Sequence, residues 1–298
     1  MSLAVRIEPA AGALARRRLA GFLALTKPRI TFLVVLTTLV GFLVATPRPV
    51  PVLLLLHALV GTALAAGAAG ALNQWAERRL DAEMRRTARR PLPSGQLAPL
   101  EAAVFGVGLT AAGTAYLALT ANGLASALAA VTVASYLLLY TPLKRVTSLA
   151  TVVGAVPGAL PPMIGWAAAR GRLGVGAWVL FGILFLWQMP HFLALAQLYR
   201  ADYARAGFRM LTVEDATGRG AGRQAALYAL ALVPVSLLPT PLGLAGPVYF
   251  LGALALGIAF LAGAVAMAVD PSNPGTTRRL FHVSLLYLPA ICVLLLVG

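Results

Sequence analysis

Long apolar runs are the feature that most limits what this chain can fold into. Runs of about 17 to 25 residues, the length needed to cross a bilayer, alternate with short polar segments. Apolar residues make up 60% of the chain and charged residues only 11%, against about 25% in soluble domains. The pattern predicts an all-α polytopic membrane protein with about nine transmembrane helices in one bundle. The predicted spans are 30–46, 51–72, 102–120, 123–140, 149–169, 174–198, 225–243, 247–269 and 280–297.

The basic residues are concentrated on alternate polar segments. In a soluble protein, a net charge of +15 would suggest a nucleic-acid partner, so the placement of the charge decides the interpretation. Of 24 Lys and Arg residues, 21 precede the first span or lie in every second loop, as do all nine acidic residues. The positive-inside rule predicts a cell inner (cytoplasmic) membrane protein with the N-terminus cytoplasmic and the C-terminus outside. The expected partner of these basic residues is therefore the lipid bilayer, and no nucleic-acid partner is expected. The charge-rich loops are 73–101, 141–148, 199–224 and 270–279, and the remaining basic residues are Arg48, Arg170 and Arg172.

The N-terminal segment 1–28 is a basic arm, followed by one transmembrane domain over 29–298. It lacks the apolar core and small-residue cleavage site of a secretory signal peptide, and the presence of Glu8 argues against the alternative of a transit peptide. The single cysteine, Cys292, excludes a disulfide framework and a cysteine metal cluster. We expect its thiol to be inert and buried.

The loop after the second span carries a row of oxygen-bearing side chains. Asn73, Glu77 and Asp81 recur every four residues, so on a helix they share one face. Such a row suits Mg²⁺, which commonly bridges carboxylates to substrate phosphates. An ordinary solvated loop with i,i+4 ion pairs is the alternative. Arginines, whose forked donors match phosphate oxygens, follow at once: Arg85, Arg86, Arg89 and Arg90.

A second polar segment, after the sixth span, has a similar character. Asp202 and Tyr203 stand there between arginines, which indicates a pseudo-repeat with polar motifs after helices two and six. Two facing sites of this kind would hold a diphosphate at the cytoplasmic face, with its apolar tail in a central apolar cavity of the bundle. Prolines that interrupt several spans are consistent with a cavity. Four further basic residues are predicted at the same membrane face, where they either add to the diphosphate site or only set the topology: Lys27, Arg29, Lys144 and Arg145.

Several segments together resemble the intramembrane aromatic prenyltransferase superfamily. The row from Asn73 to Asp81 is shared by the whole superfamily, whereas WQMPHF at 187–192 is similar to its haem-modifying branch. The other matching segments are TKPRIT at 26–31, LYTPLKR at 139–145, the remainder of 187–211, and RRLFHVSLLYL at 278–288.

The resemblance implies transfer of the farnesyl group of farnesyl diphosphate to a vinyl group of haem B, which gives haem O and diphosphate. Residue by residue, it implies that Asn73, Glu77 and Asp81 form the first metal-diphosphate motif and that Asp202 is the carboxylate of the second. Glu77 stands where the family usually has aspartate, so water-mediated ligation is possible there. Gln197 and Arg209 replace an expected tryptophan and proline.

Roles for the remaining residues follow from the chemistry of that reaction. Ionisation of the allylic carbon–oxygen bond requires Mg²⁺ and cations to neutralise the departing diphosphate. Arg86, Arg90 and Lys144 are expected to bind the diphosphate, and Arg145 and Arg29 are ranked below them. Aromatic faces would stabilise the farnesyl cation, and His191 is the candidate to contact the haem iron or to pack by hydrogen bonding. The predicted haem or prenyl cavity contains Tyr136, Tyr140, Trp187, His191 and Phe192.

Two other functions remain open at this point. A prenyltransferase with a quinone precursor such as hydroxybenzoate or naphthoate as acceptor shares the metal motif. A transporter would also have repeated halves with polar breaks, but its ionisable residues should lie at the bilayer centre and not at one face. A downstream haem-modifying membrane enzyme is a possible partner of the haem-modifying reaction.

Overall fold

The computed structural model describes residues 11–215 and 217–298, so the first ten residues of the predicted arm lie outside the described part. All regular elements within that part are helices. In chain order they are α1 (Ala11–Leu25), α2 (Pro28–Ala45), α3 (Val52–Glu83), α4 (Pro99–Thr120), α5 (Gly123–Ala134, continued by a π-helical turn Ser135–Tyr140), α6 (Thr141–Leu143), α7 (Ala150–Ala159), α8 (Pro161–Arg170), α9 (Val175–Leu198), α10 (Arg200–Arg205), α11 (Leu211–Glu214), α12 (Arg219–Leu237), α13 (Pro247–Val269) and α14 (Pro274–Val297).

Eight helical stretches in the described part are long and apolar enough to cross a membrane. Two of them join consecutive elements, since α5 runs on to Leu143 and α7 runs through the break at Leu160 into α8. The eight spans confirm the predicted all-helical membrane fold. They are α2, α3, α4, Gly123–Leu143, Ala150–Arg170, α9, α13 and α14.

The seventh predicted span, 225–243, corresponds to α12, which is not among those eight. The helix begins six residues earlier than expected, and its polar first turns, which include Arg223, reduce its apolar character. Even so, α12 runs antiparallel to α13 along most of its length. Gly222 lies against the backbone of Ala268 at one end, and at the other end the Tyr249 hydroxyl donates to the backbone oxygen of Ser236 at 2.7 Å.

The helix α3 extends well beyond its predicted span. Its 32 residues give a length of about 48 Å, whereas the hydrocarbon core of a bilayer is about 30 Å thick. Hydropathy ended the predicted span at Leu72, but the helix continues to Glu83. The last three turns therefore project from the apolar region and carry the predicted row of polar residues.

Close backbone contact joins α2 to α8. A Cβ atom on Gly41 would collide with the backbone of Pro162, and one on Gly165 would collide with the backbone of Thr38. Small residues are what allow membrane helices to approach this closely. This crossing fixes the position of α2, whose first turn follows Lys27 at the polar end of the bundle.

One small apolar space lies between α2, α9 and α14. Its volume is about 10 Å³, about the size of one water molecule, and its lining includes Thr37, Leu184, Ile291 and Cys292. The predicted central cavity for a substrate chain stays a prediction. Cys292 is buried there, as predicted.

The polar ends of the helices collect at one end of the bundle, which we call the charged face. It consists of the segments 73–101, 141–148, 199–224 and 270–279, excluding residue 216. The helix α1 is attached to the same face, because the Gln96 side chain donates to the Arg17 backbone oxygen and the rings of Phe22 and Phe105 lie 5.1 Å apart.

Candidate active site

The predicted row on α3 is buried although it lies at a polar end of the protein. Asn73, Glu77 and Asp81 are only 2%, 5% and 0% exposed. Their spacing places them on one helical face, as the sequence predicts, and that face is turned into the protein. A solvated loop with surface ion pairs, the alternative interpretation, is therefore not what the structure shows. Each of the three side chains accepts a hydrogen bond from a cation of another segment.

Lys27 is the partner of Asn73. Its Nζ donates to Asn73 Oδ1 at 2.7 Å, and the Asn73 amide group donates to the Thr141 hydroxyl at 3.2 Å. The backbone of Lys27 is left-handed, with φ of 50°, a conformation that costs a non-glycine residue about 1–3 kcal/mol. Burial and the positive charges of Arg90 and Lys144 lower the pKa of Lys27 to about 7. The fold thus holds Lys27, with its strained backbone and its positively charged neighbours, against Asn73 of the row.

Lys144 is the partner of Glu77. Its Nζ lies 2.7 Å from Glu77 Oε1 and 4.3 Å from the centroid of the Tyr140 ring. Burial by itself would lower the pKa of Lys144, but the charge and hydrogen bond of Glu77 together with the neighbouring Tyr136 and Tyr203 outweigh burial, and the pKa is raised. Lys144 consequently keeps its positive charge in a buried site.

Arg90 is the partner of Asp81. A single guanidinium nitrogen donates to both carboxylate oxygens, at 2.9 and 2.8 Å. The intervening chain folds back on the helix end, because the Thr87 hydroxyl donates to the backbone oxygen of Asp81 at 2.8 Å. The loop that follows α3 therefore folds back so that Arg90 contacts Asp81 of the row.

The second polar segment packs against the first through an apolar cluster. Met84 from the end of α3 is buried with Phe208 and Met210, and Leu80 and Tyr203 pack around them. The backbone N–H of Arg209 donates to the Lys144 backbone oxygen at 2.8 Å, which ties this segment to the end of α6.

Asp202 lies on this docked segment, in an ion pair with Arg205 of the same short helix. Its side chain is 14% exposed. Within the described residues, no three His, Cys, Asp or Glu side chains converge on one metal-sized point. The oxygen donors are therefore grouped at one face while each remains paired to a cation.

The predicted diphosphate-binding residues divide into two groups. Lys144 and Arg90 contact the row directly, and Arg86 lies beside it, with its guanidinium 5.3 Å from the centroid of the Tyr199 ring. Arg29 and Arg145 are exposed, and in the described part of the chain neither forms an ion pair with the row.

The predicted aromatic residues form two separate groups. Tyr136 and Tyr140 lie in the π-helical turn next to Lys144, with ring centroids 5.1 Å apart. Trp187, His191 and Phe192 lie on α9, where His191 is 5.2 Å from Trp187 and 5.7 Å from Phe192. The first group borders the row, and the second faces α14.

Sequence patterns gave only part of this site. Lys27, which holds Asn73, was predicted only as a further cation at this level, without a partner. The residues that were not predicted for the site are Arg205, which holds Asp202, and Phe281 and Ser284 on α14, which contact His191. Arg205 could have been found from the sequence, because it stands three residues after Asp202 and a cation at that spacing on a helix can pair with a carboxylate. The other three come from distant parts of the chain, and no local pattern identifies them.

An all-helical membrane bundle with a buried row of carboxylate and amide oxygens, paired to cations at one face, defines the class of an intramembrane prenyltransferase. The model of the UbiA prenyltransferase family matches residues 34–286, and the chain belongs to that family.

Within the family, several curated relatives carry the same name. The protoheme IX farnesyltransferase of Solibacter usitatus is 48% identical over 92% of this chain and 97% of its own length. Further bacterial relatives with the same name are 42% to 45% identical over most of the chain. This similarity selects the haem-modifying branch that the segment 187–192 indicated.

Solved structures confirm the fold. A digeranylgeranylglyceryl phosphate synthase has a TM-score of 0.79 at 17% identity, with 94% of this chain and 98% of that chain covered. A UbiA homologue from Archaeoglobus fulgidus bound to DMAPP and Mg²⁺ has a TM-score of 0.68 at 14% identity, with coverage of 93% and 100%.

Proposed function

We propose that this chain transfers the farnesyl group of farnesyl diphosphate to a vinyl group of haem B, with water supplying the hydroxyl group that adds to the other vinyl carbon, so that diphosphate is released and haem O is formed. The observation that carries the proposal is the identity of 48% to a protoheme IX farnesyltransferase along nearly its whole length. The buried row on α3 supports it, because a diphosphate leaving group requires cations and metal-binding oxygens at one place.

The donor set of the row fits Mg²⁺. Asn73, Glu77, Asp81 and Asp202 offer amide and carboxylate oxygens, the ligands that this ion prefers. These four residues would hold the ion, which when bound supplies positive charge to the departing diphosphate. The Archaeoglobus fulgidus homologue with DMAPP and Mg²⁺ supports a metal-dependent reaction in this family.

The cations that now hold these oxygens suggest how the diphosphate is bound. Lys27, Lys144 and Arg90 each donate to one member of the row. If these oxygens held a metal ion instead, the three cations would be without their partners and free to donate to phosphate oxygens. Binding of metal and binding of diphosphate would then depend on each other, since either alone would leave buried charges unpaired. Arg86 is placed to join them from the edge of the site.

The prenyl chain and the haem would occupy the aromatic part of the bundle. Tyr136 and Tyr140 lie directly below Lys144, so the allylic carbon next to the diphosphate would meet their rings first. Their electron-rich faces stabilise a developing cation and keep water away from it. Trp187, His191 and Phe192 lie on the helix that leads to Asp202, and we assign them to the haem side of the site.

The same proposal fixes the orientation in the membrane. The charged face carries most of the basic residues, so we place it on the cytoplasmic side of the cell inner membrane, where the N-terminus would also lie. The arm 1–28 precedes a single domain over 29–298, with related polar motifs after α3 and α9. A membrane enzyme that modifies the farnesylated haem further would be the natural recipient of the product.

The mass of the haem made by a host that expresses this chain tests the function. We expect a haem heavier than haem B by one farnesyl group plus one hydroxyl group, and none in a host that expresses an Asp81→Asn variant. Purified protein with farnesyl diphosphate and Mg²⁺ should also prefer haem B over hydroxybenzoate or naphthoate in competition. Prenylation of the quinone precursor in place of haem would refute the proposal. The relatives do not favour that acceptor.

A further inference from the structure

His191 is clamped between two aromatic rings at the contact of α9 with α14. Its ring centroid lies 5.2 Å from that of Trp187 and 5.1 Å from that of Phe281, with interplanar angles of 19° and 24°. Stacking on both faces leaves the imidazole little freedom to rotate. The plane of the ring is therefore fixed by its neighbours.

The hydrogen bonds of Ser284 favour one tautomer of this histidine. The Ser284 hydroxyl is placed to donate its one proton to the Phe281 backbone oxygen at 2.6 Å. The same Oγ lies 2.7 Å from His191 Nδ1. With the hydroxyl proton on that carbonyl, Oγ accepts from Nδ1, and we assign the ring proton to Nδ1 on this hydrogen-bond pattern. In the neutral ring so assigned, Nε2 has a free lone pair.

Two residues of α9 are bonded to Ser284 of α14, since Trp187 Nε1 also donates to the Ser284 backbone oxygen, at 2.8 Å. Ser284 is fully buried and Trp187 is 8% exposed, whereas His191 is only partly buried. Within the described residues, the hydrogen bond to Ser284 is the only one that His191 makes.

A histidine that donates from Nδ1 and keeps a lone pair on Nε2 has the form in which imidazole binds metal ions. Resting on the proposed function, we propose that His191 Nε2 binds the iron of haem B and that Ser284 is the positioning residue that prepares it. Seven residues, about 10 Å of helix, separate His191 from the end of α9 that leads to Asp202. Iron ligation would anchor the porphyrin there, and the stacked rings would limit its rotation about the iron–nitrogen bond.

Spectroscopic titration of the purified full chain with ferric haem B, without farnesyl diphosphate, tests this assignment. We expect the wild type to show the absorption and EPR signature of imidazole-ligated haem. His191→Ala should lose it and regain it when free imidazole is added, whereas His282→Ala, on the neighbouring exposed residue, should keep it. If the alanine variant does not fold, His191→Gln replaces it in the titration, because glutamine keeps a hydrogen-bond donor towards Ser284 but lacks the ligating nitrogen.

Ser284→Ala tests the positioning role separately. Loss of an outer hydrogen-bond partner typically weakens metal binding about 10–100-fold, so we expect a loss of that size in haem affinity, with recovery in Ser284→Thr. Ser236→Ala is the matched control, since that buried hydroxyl also donates to the carbonyl three residues earlier, on a different helix.

The outcomes separate the two levels of the proposal. An unchanged haem spectrum in His191→Ala would overturn the inference, and so would equal losses of haem affinity in Ser284→Ala and Ser236→Ala. In either case, haem farnesylation by the wild type would still support the proposed function. A wild type that neither binds nor farnesylates haem would overturn the function itself.

Discussion

Breaking the buried ion pair of Glu77 and Lys144 should destabilise the protein strongly. The two charged groups are 2.7 Å apart, and their side chains are only 6% and 10% exposed. Removing one partner leaves the other charge buried without compensation, which typically costs about 3–5 kcal/mol. We therefore expect Glu77→Gln and Lys144→Met each to lower the free energy of unfolding by about that amount. The double variant should lose far less than the two single losses combined, because no lone charge remains.

Denaturant unfolding of the detergent-solubilised variants, followed by tryptophan fluorescence, measures these losses. The exposed pair of Arg209 and Glu214, with 60% and 35% exposed side chains, provides the control. Neutralising one partner there should change the free energy by about 0–1 kcal/mol. Additive losses in the double variant, or single losses no larger than in the control, would refute the reasoning. The double variant should still lack farnesyl transfer, since it keeps neither the proposed ligand nor the cation.

Three further outcomes follow from the site and the packing. Asp81→Asn and Asp202→Asn should each lower kcat for farnesyl transfer about 100-fold or more, whereas Arg145→Ala should change it little; equal effects of all three would argue against the assigned roles. EDTA should abolish diphosphate release, and added Mg²⁺ should restore it; activity that persists in EDTA would exclude the metal role. Gly165→Ala should lower the free energy of unfolding by about 1–3 kcal/mol, because the added Cβ would clash with the backbone of α2. Gly108→Ala is the control: a Cβ there meets nothing within 4 Å, so this change should be neutral or stabilising. Similar unfolding free energies for the two variants would refute the close crossing.

The shared helical face of the predicted row is a local feature of the sequence. Four-residue spacing depends only on helix geometry, so the common face of Asn73, Glu77 and Asp81 could be read directly from the sequence. The spacing does not say whether that face is buried or solvated. Burial depends on the packing of α2, α6 and the segment after α9 around the end of α3, and these elements are distant in sequence.

The partners of the row show the same limit. Lys27 reaches Asn73 across 46 positions and Lys144 reaches Glu77 across 67. A sequence pattern marks such residues as cations near a membrane surface and nothing more. The pair of His191 and Ser284, 93 positions apart, exists only because α9 and α14 are neighbours in the bundle.

Hydropathy determined the class of the fold, because apolar runs of bilayer length can be satisfied only by helices that bond their own backbone. It misplaced the ends of α3 and α12, since helices continue beyond the apolar region for as long as their hydrogen bonds persist. Sequence by itself also determined which face is charged and which residues repeat every four positions. Only the tertiary structure decided which cation holds which oxygen and which residues of α14 surround His191. Those features arise from contacts between helices, and contacts between distant segments leave no periodic trace in one sequence.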